Sequence, residues 1–334
     1  MIKDLFIGLS KNQLLNQAAK KYGLRLGAQS VVAGTNLEET MKSIKELNSL
    51  GISCTVDNLG EFVFERSEAI KAKEQILKAI DMINTNQLDA HISLKATQLG
   101  LDIDYDFCLN NLKEIVEKAS NYHMFINIDM EDQSHLQPSF DILDELSKEF
   151  DNVGTVIQAY FYRAEEDLQK YKNFRLRIVK GAYKESGEHA FQEKQEIDAN
   201  FIKLIKWHLL NGKFTSIATH DHRVINQIKS FVKEHKIPKE KFEFQMLYGF
   251  RKELQFGLAK EGYNFCTYVP FGEDWYGYFM RRLAERPQNL KLVASQVLNK
   301  KTNTVIGLTA GAFLLGRVIG LNKYNKISSV KEQK

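Results

Sequence analysis

The sequence predicts an α/β fold, a (β/α)₈ barrel of the TIM type with N-terminal helices and a C-terminal apolar helical tail. Eight short apolar or β-branched runs recur at a spacing of about 30 residues, the length of one βα unit. Lys- and Glu-rich stretches with helical periodicity, such as 68–84 and 198–210, separate these runs. No Gly-x-Gly-x-x-Gly turn follows any run, which disfavours the main rival, a doubly wound open sheet.

The chain divides into three predicted parts: a helical arm at 1–49, the barrel at 50–290 and a tail at 291–334. In the arm, apolar residues follow helical spacing, and Asn36 before two glutamates predicts the start of a helix. The 334 residues, 43% of them hydrophobic, allow one barrel of about 250 residues plus extensions. The net charge of +4 is spread along the chain and indicates no nucleic-acid-binding arm.

Each predicted strand is short and is followed by a predicted helix. In chain order, the strands are Ile52–Asp57, Ala90–Lys95, Met124–Asp129, Val153–Gln158, Phe174–Lys180, Phe214–His220, Phe242–Leu247 and Phe265–Val269. Eight alternating units in one chain favour a closed parallel barrel over an open sheet.

The predicted strands end in polar side chains, although their interiors are mostly apolar. The polar residues at or near the strand ends are Asp57, Lys95, Asp129, Glu131, Gln158, Arg177, Lys180, Thr219, His220, Gln245 and Tyr268. The active sites of barrels of this type lie at the C-terminal ends of the strands. The pattern therefore predicts a ring of functional groups and favours an enzyme.

The last predicted helix, 275–286, carries charged residues on one face. Tyr278, Arg281, Arg282 and Glu285 are spaced so that they share that face. Two interpretations stay open on spacing alone. The face is either a solvated one with an Arg281–Glu285 pair, or a guanidinium pair that binds a substrate carboxylate.

Six segments together resemble the proline dehydrogenase family, specifically its short, monofunctional bacterial type. They are ISLKATQLG at 92–100, NIDME at 127–131, RLRIVKGAY at 175–183, ATH at 218–220, FQMLYG at 244–249 and YVPFGEDWYGYFMRRLAERPQN at 268–289. The resemblance runs from about residue 50 to residue 289, and each segment falls at a predicted strand end or on the last helix.

The resemblance implies a substrate site that holds a carboxylate by three cations, which match Lys95, Arg281 and Arg282. It implies catalytic positions at Asp129 and Tyr183. It also implies that the proline ring is walled by Tyr183, Leu247, Tyr268 and Tyr278.

The resemblance further implies FAD as the cofactor. The matching positions are Met130, Gln158, Arg177, Val179, Lys180, Gly181, Ala182, Thr219 and His220. Among these, Arg177 would hydrogen-bond the flavin ring and Gly181 would permit close approach to the backbone. Glu61 matches a glutamate that would pair with Arg281 and gate the site. No metal site is expected, because His and Cys residues lack ligand spacing.

The expected function is FAD-dependent oxidation of L-proline to Δ¹-pyrroline-5-carboxylate by hydride transfer to flavin N5, with the electrons passing to a membrane quinone. A separate dehydrogenase would then oxidise the product. Two alternatives stay open. One is a Schiff-base aldolase or lyase that uses Lys95 or Lys180. The other is a non-catalytic barrel that binds a carboxylate.

The tail contains an apolar segment, 305–321, with lysines on both sides and small-xxx-small glycine pairs. As a helix it would be about 25 Å long, which is marginal for crossing a bilayer. The expectation is peripheral membrane contact, and the alternative is a helix packed on the barrel or on a neighbouring subunit. Three cysteines without a paired motif predict a cytoplasmic location, with possible contact at the inner face of the cell membrane.

Overall fold

The computed structural model describes residues 31–272, 274–276 and 278–279. Several predictions lie outside these residues: most of the helical arm (1–30), Arg281, Arg282, Glu285 and the tail with its 305–321 segment.

The prediction of an eight-stranded parallel barrel is confirmed. Each strand pairs in parallel with its neighbours in chain order, and β8 pairs with β1 to close the barrel. The strands are β1 (Ser53–Asn58), β2 (Ala90–Lys95), β3 (Ile126–Asp129), β4 (Val153–Gln158), β5 (Arg175–Val179), β6 (Phe214–Ala218), β7 (Phe242–Leu247) and β8 (Phe265–Phe271).

Within the described residues, eight α-helices accompany the strands. They are α1 (Leu37–Asn48), α2 (Arg66–Thr85), α3 (Tyr105–Ser120), α4 (Gln133–Leu146), α5 (Ala164–Lys170), α6 (Lys194–Asn211), α7 (His222–Glu234) and α8 (Lys252–Lys260). Two short 3₁₀ turns, Thr97–Leu99 and Lys239–Lys241, precede α3 and β7. None of these helices combines the length and apolar character needed to cross a bilayer.

Local sequence accounts for where the helices begin. The Asn36 side chain accepts a hydrogen bond from the Glu39 N–H at 2.9 Å, so the predicted start of α1 is confirmed. Asp104 caps α3 and Asp132 caps α4 in the same way. Each helix then buries its apolar stripe against the barrel; α2, for example, buries Ile76, Ile80 and Ile83.

Four predicted strands differ in length from the observed ones, and β1 keeps its predicted length but begins one residue later. β3 and β5 are each two residues shorter than predicted, whereas β6 and β8 differ at their C-terminal ends. β6 ends at Ala218 rather than His220, because Thr219 Oγ1 accepts a hydrogen bond from the Asp221 N–H and turns the chain into α7. β8 continues past Val269 to Phe271, because its last residues pair with Asp57 and Asn58 of β1. Proline at 270 is tolerated there since it keeps its carbonyl, which accepts from the Ala33 N–H.

Candidate active site

Two cations and two carboxylates meet inside the barrel at the C-terminal ends of the strands. Lys95 Nζ lies 3.1 Å from Asp57 Oδ2 and 3.7 Å from Asp129 Oδ2. Arg177 donates to the other Asp129 oxygen at 2.5 Å. Asp57, Asp129 and Arg177 are all buried and the Lys95 ammonium is nearly so. Charges in such a place persist only when they are paired, as these are.

Tyr268 joins the two carboxylates. Its hydroxyl oxygen is 2.7 Å from Asp57 Oδ2 and 2.8 Å from Asp129 Oδ2. Burial raises the pKa of Asp57 above its ordinary value, opposed by the nearby Lys95 ammonium and assisted by the charge of Asp129. Burial and the two carboxylates also raise the pKa of Tyr268, so the phenol stays protonated.

The Lys95 side chain is held as an ammonium ion. Burial alone would lower the pKa of Lys95, but the carboxylates of Asp57 and Asp129 outweigh it and raise that pKa above its ordinary value. A Schiff-base nucleophile needs the neutral amine, and this environment favours the charged form. The geometry therefore disfavours Lys95 as the amine of an aldolase.

Arg177 is fixed by three partners on three other strands. Besides Asp129 on β3, it donates from Nε to Gln245 Oε1 at 2.8 Å on β7 and from Nη2 to Thr55 Oγ1 at 3.2 Å on β1. Its guanidinium also lies 5.3 Å from the Tyr268 ring centroid. Ser93 and Asn127 donate to the Asp129 oxygen that Arg177 contacts. The group is thus rigidly oriented, with its partners drawn from most of the barrel.

The remaining predicted cofactor residues lie around β4 to β6. Lys180 pairs with Asp198 at 2.5 Å, and Lys194 pairs with the same carboxylate. Gln158 donates to the Glu131 carbonyl at 2.7 Å, and His220 Nε2 lies 3.4 Å from the Leu247 N–H. Met130 and Thr219 are buried, Val179 is half-buried, and Gly181 and Ala182 are exposed.

Gly181 has a structural requirement of its own. Its φ is +124°, in a region that side chains rarely adopt, and a Cβ there would lie 2.4 Å from the Tyr160 ring. The predicted reason for this glycine was close approach of a cofactor. The Tyr160 ring is sufficient by itself to exclude a side chain.

Glu61 lies in the loop that follows β1, and Tyr183 lies beyond β5. The Tyr183 hydroxyl donates to Glu61 Oε2 at 3.4 Å, so these two predicted residues are in contact. Tyr278 is buried and Leu247 is half-buried at the end of β7. The predicted partners Arg281 and Arg282 lie outside the described residues.

The sequence reasoning gave no role to Asp57, which the structure places in contact with Lys95 and Tyr268. Asp57 was recognisable only as a polar strand end. No role was predicted for the supporting residues Thr55, Ser93, Asn127 and Gln245. Thr55 and Gln245 contact Arg177 from other strands, and Ser93 and Asn127 contact Asp129, so their roles depend on side-chain directions. Within the described part of the chain, no three His, Cys, Asp or Glu side chains are grouped to hold a metal ion. All three cysteines are free and buried.

Comparisons with known proteins agree on one family. The family model described as proline dehydrogenase matches residues 40–295. Proline dehydrogenase 1 of Bacillus subtilis subsp. natto is 47% identical over 302 residues, which are 90% of this chain and 100% of that protein. Proline dehydrogenase of Deinococcus radiodurans is 38% identical over 278 residues, 81% of this chain and 90% of that protein.

Among solved structures, proline utilization A from Bdellovibrio bacteriovorus, inactivated by N-propargylglycine, superposes with a TM-score of 0.76 at 23% identity. The match covers 90% of this chain and 38% of that chain. At this identity the likeness supports the barrel fold alone.

Proposed function

The chain belongs to the proline dehydrogenase family, and from that premise we propose that it oxidises L-proline to Δ¹-pyrroline-5-carboxylate with FAD as the hydride acceptor. The observation that carries this proposal is the buried cluster of Lys95, Arg177, Asp57, Asp129 and Tyr268 at the C-terminal end of the barrel. The negative carboxylate of an amino acid suits a site that already presents a fixed ammonium.

The residues beyond β4 to β6 suit the cofactor. Two ammonium groups, Lys180 and Lys194, share the single carboxylate of Asp198, which leaves one net positive charge for a phosphate group. Gly181 and Ala182, which follow Lys180 directly, are exposed, and Thr219 follows the end of β6, the strand that pairs with β5. When bound, FAD supplies the hydride acceptor at its N5 position, and its reduced form gives electrons to a quinone.

The chain's own residues bind and orient the substrate. We assign Lys95, Arg281 and Arg282 to the substrate carboxylate, and Tyr183, Leu247, Tyr268 and Tyr278 to the walls around the ring. Asp129 orients Lys95 and Arg177, which it contacts from its two oxygens. Holding the proline ring against the cofactor lowers the entropic part of the activation barrier, because the two reactants are already in position. Glu61 is assigned to a gate that pairs with Arg281 and closes over the substrate.

We also propose that the chain divides into an arm, a barrel and a tail. We further propose that the 305–321 segment contacts the inner face of the cell membrane peripherally, where a quinone is available. Deleting residues 300–334 should lower sedimentation with anionic vesicles and leave dye-linked activity intact. Unchanged sedimentation would contradict the membrane assignment. A separate downstream enzyme would oxidise the released imine product.

The direct test of the reaction is spectroscopic. The purified protein should be yellow, and anaerobic L-proline should bleach its flavin absorption. A colourless protein that takes up no added FAD would contradict the proposal. Borohydride trapping of a carbonyl substrate on Lys95 or Lys180 would instead support the aldolase alternative.

A further inference from the structure

The loop that carries Glu61 is anchored through its backbone to one residue, Thr97. It follows β1 and spans residues 59–65. The Phe62 N–H donates to Thr97 Oγ1 at 3.0 Å, and the Val63 N–H donates to the Thr97 carbonyl at 3.2 Å. Phe62 has φ of +56°, an unfavourable conformation for a residue with a side chain. Such a conformation persists only when its surroundings fix it, and Thr97 supplies two of the bonds that do so.

Thr97 is in turn held by Glu131. The Thr97 N–H donates to Glu131 Oε1 at 3.1 Å, and the Thr97 hydroxyl lies 2.5 Å from Glu131 Oε2. Both residues are fully buried. Because Thr97 Oγ1 accepts from Phe62, its own hydrogen is directed to the carboxylate of Glu131. The two steps form a chain of hydrogen bonds from the end of β3 to the Glu61 loop.

We propose that Glu131 and Thr97 are positioning residues that clamp the Glu61 loop over the substrate cavity. The clamp is the contact chain of Glu131, Thr97, Phe62 and Val63. It touches neither substrate nor cofactor and acts through the position of Glu61, whose Oε2 also accepts from Tyr183. The inference rests on the proposed function, since it treats Glu61 as a gate.

The clamp requires an ionised Glu131. A protonated Glu131 carboxyl would donate its hydrogen to Thr97 Oγ1, which already accepts from the Phe62 N–H. The Thr97 hydroxyl hydrogen would then lose Glu131 Oε2 as its acceptor in a buried position. Burial raises the pKa of Glu131 to about 7, opposed by the hydrogen bonds from Thr97 and the charge of Lys95 and assisted by the charge of Glu61. Cys108 from α3 also faces this carboxyl, and burial raises the pKa of that thiol, which keeps it neutral. The clamp therefore weakens as the pH falls through about 7.

A matched pair of variants tests the clamp. Thr97→Val keeps the shape of the side chain and removes the hydroxyl, whereas Thr97→Ser keeps the hydroxyl. Loss of these hydrogen bonds should raise KM for proline about tenfold in the valine variant, with kcat within about twofold. The serine variant should resemble the parent. Equal KM values in the two variants, or a loss confined to kcat, would overturn the proposal.

A double-mutant cycle asks whether the clamp acts through Glu61. Glu61→Ala alone should raise KM for proline. Thr97→Val added to that background should raise it no further, because both changes remove the same gate. Independent, multiplying effects would contradict an action through the loop. If the clamp weakens as Glu131 is protonated, KM of the parent should rise as the pH falls through about 7. Glu131→Gln should raise KM at every pH and abolish that pH dependence.

Hydrogen exchange separates this inference from the proposed function. The amide hydrogens of Phe62 and Val63 should be protected in the parent and exchange at least about tenfold faster in Thr97→Val, whatever substrate the enzyme uses. If proline fails to bleach the parent flavin, the proposed reaction is wrong and the exchange result still decides the clamp. If proline bleaches the flavin and protection is equal in both proteins, the clamp alone is wrong.

Discussion

The two ends of the barrel each contain an arginine from the same strand, one buried and one half-buried, yet they are built differently. Arg175 and Arg177 lie two residues apart on β5. Arg177, toward the C-terminal end, joins a network of two cations, two carboxylates and a phenol. Arg175, at the N-terminal end, pairs among the described residues with one carboxylate, that of Glu243 at 2.7 Å.

The N-terminal end packs its arginine as a structural element. The Arg175 guanidinium lies 4.6 Å from the ring centroids of both Phe125 and Phe214. Ser216 and Gln245 each donate to the partner Glu243 at 2.6 Å. A cavity of about 240 Å³ lies at this end, beside Arg175, Glu243 and His91.

The comparison teaches that burial of charge alone does not identify a functional end. At the N-terminal end one cation meets one carboxylate, and aromatic faces occupy the remaining surface. At the C-terminal end the acceptors Asp57 and Asp129 are shared among Lys95, Arg177 and Tyr268, so a new anion can compete for the cations. We expect the first arrangement to serve stability and the second to serve binding and chemistry.

The largest expected effect is that of Lys95→Met. Removing the fixed ammonium should lower kcat/KM for proline on the order of 100-fold, as loss of one preorganised charged donor does elsewhere. Steady-state kinetics on flavin-loaded protein measures this effect. Lys95→Arg is the matched control, which keeps the charge. A loss below about threefold would mean that the C-terminal network does not bind the substrate.

The strands and the barrel could be predicted from the sequence because they depend on local patterns. Three of the predicted strands, Ala90–Lys95, Val153–Gln158 and Phe242–Leu247, agree with the observed bounds. At the C-terminal ends of β6 and β8 the difference comes from hydrogen bonds that the hydrophobic pattern does not encode. The turn made by Thr219 and the late pairing of β8 with β1 are both of this kind.

The cluster could be predicted only in part. The strand-end rule singled out Asp57, Lys95 and Asp129, but it could not pair them. Whether Arg177 meets Asp129, 48 positions earlier in the chain, depends on closure of the barrel and on side-chain direction. Resemblance to a family supplied expected roles for several residues and none for Asp57, Thr97 or Gln245, whose partners become visible only in three dimensions.

The second prediction concerns the N-terminal end. Arg175→Met should lower the free energy of unfolding by about 3 kcal/mol, because it leaves the Glu243 carboxylate buried without its cation. Activity per flavin-loaded enzyme should stay within about twofold. Chemical denaturation and steady-state kinetics measure the two quantities. The double variant Arg175→Met/Glu243→Leu should recover part of the lost free energy of unfolding, because it removes the unpaired carboxylate as well. A double variant less stable than Arg175→Met would argue against an uncompensated charge as the cause.

The third prediction distinguishes the ends by pH. His208 on α6 is buried near the start of β6, bonds Thr215 at 2.8 Å, and leaves no room for a Cβ at Gly212. Burial lowers the pKa of His208 to about 4 from an ordinary value of 6.5. The unfolded chain therefore binds this proton more readily than the folded one, and stability present above pH 6.5 is lost as the pH falls toward 4.

The size of that loss should be about 2 kcal/mol by pH 5. His208→Gln should flatten the decline in the free energy of unfolding between pH 6.5 and pH 5, whereas the exposed His189→Gln should not. Denaturant titrations at several pH values measure the slope. The activity change assigned to Glu131, centred near pH 7, should remain in His208→Gln. Loss of both pH effects together would mean that the two ends are coupled.

The smallest expected effect tests whether location at the C-terminal end is enough to make a residue matter for activity. Asn36 caps α1 beside the end of β8, since Ala33 and Gly34 bond the Pro270 and Gly272 backbone. Asn36→Ala should cost about 1 kcal/mol of stability through the lost cap. Asn36→Asp keeps an acceptor, adds a favourable negative charge at the helix start, and should cost nothing. Neither variant should change kcat/KM for proline, because Asn36 shares no partner with Lys95 or Asp129. A tenfold loss of activity in Asn36→Ala alone would show that the segment before α1 shapes the substrate site. In that case, contact with Lys95 or Asp129 would no longer explain why residues at one end of the barrel affect activity and those at the other end do not.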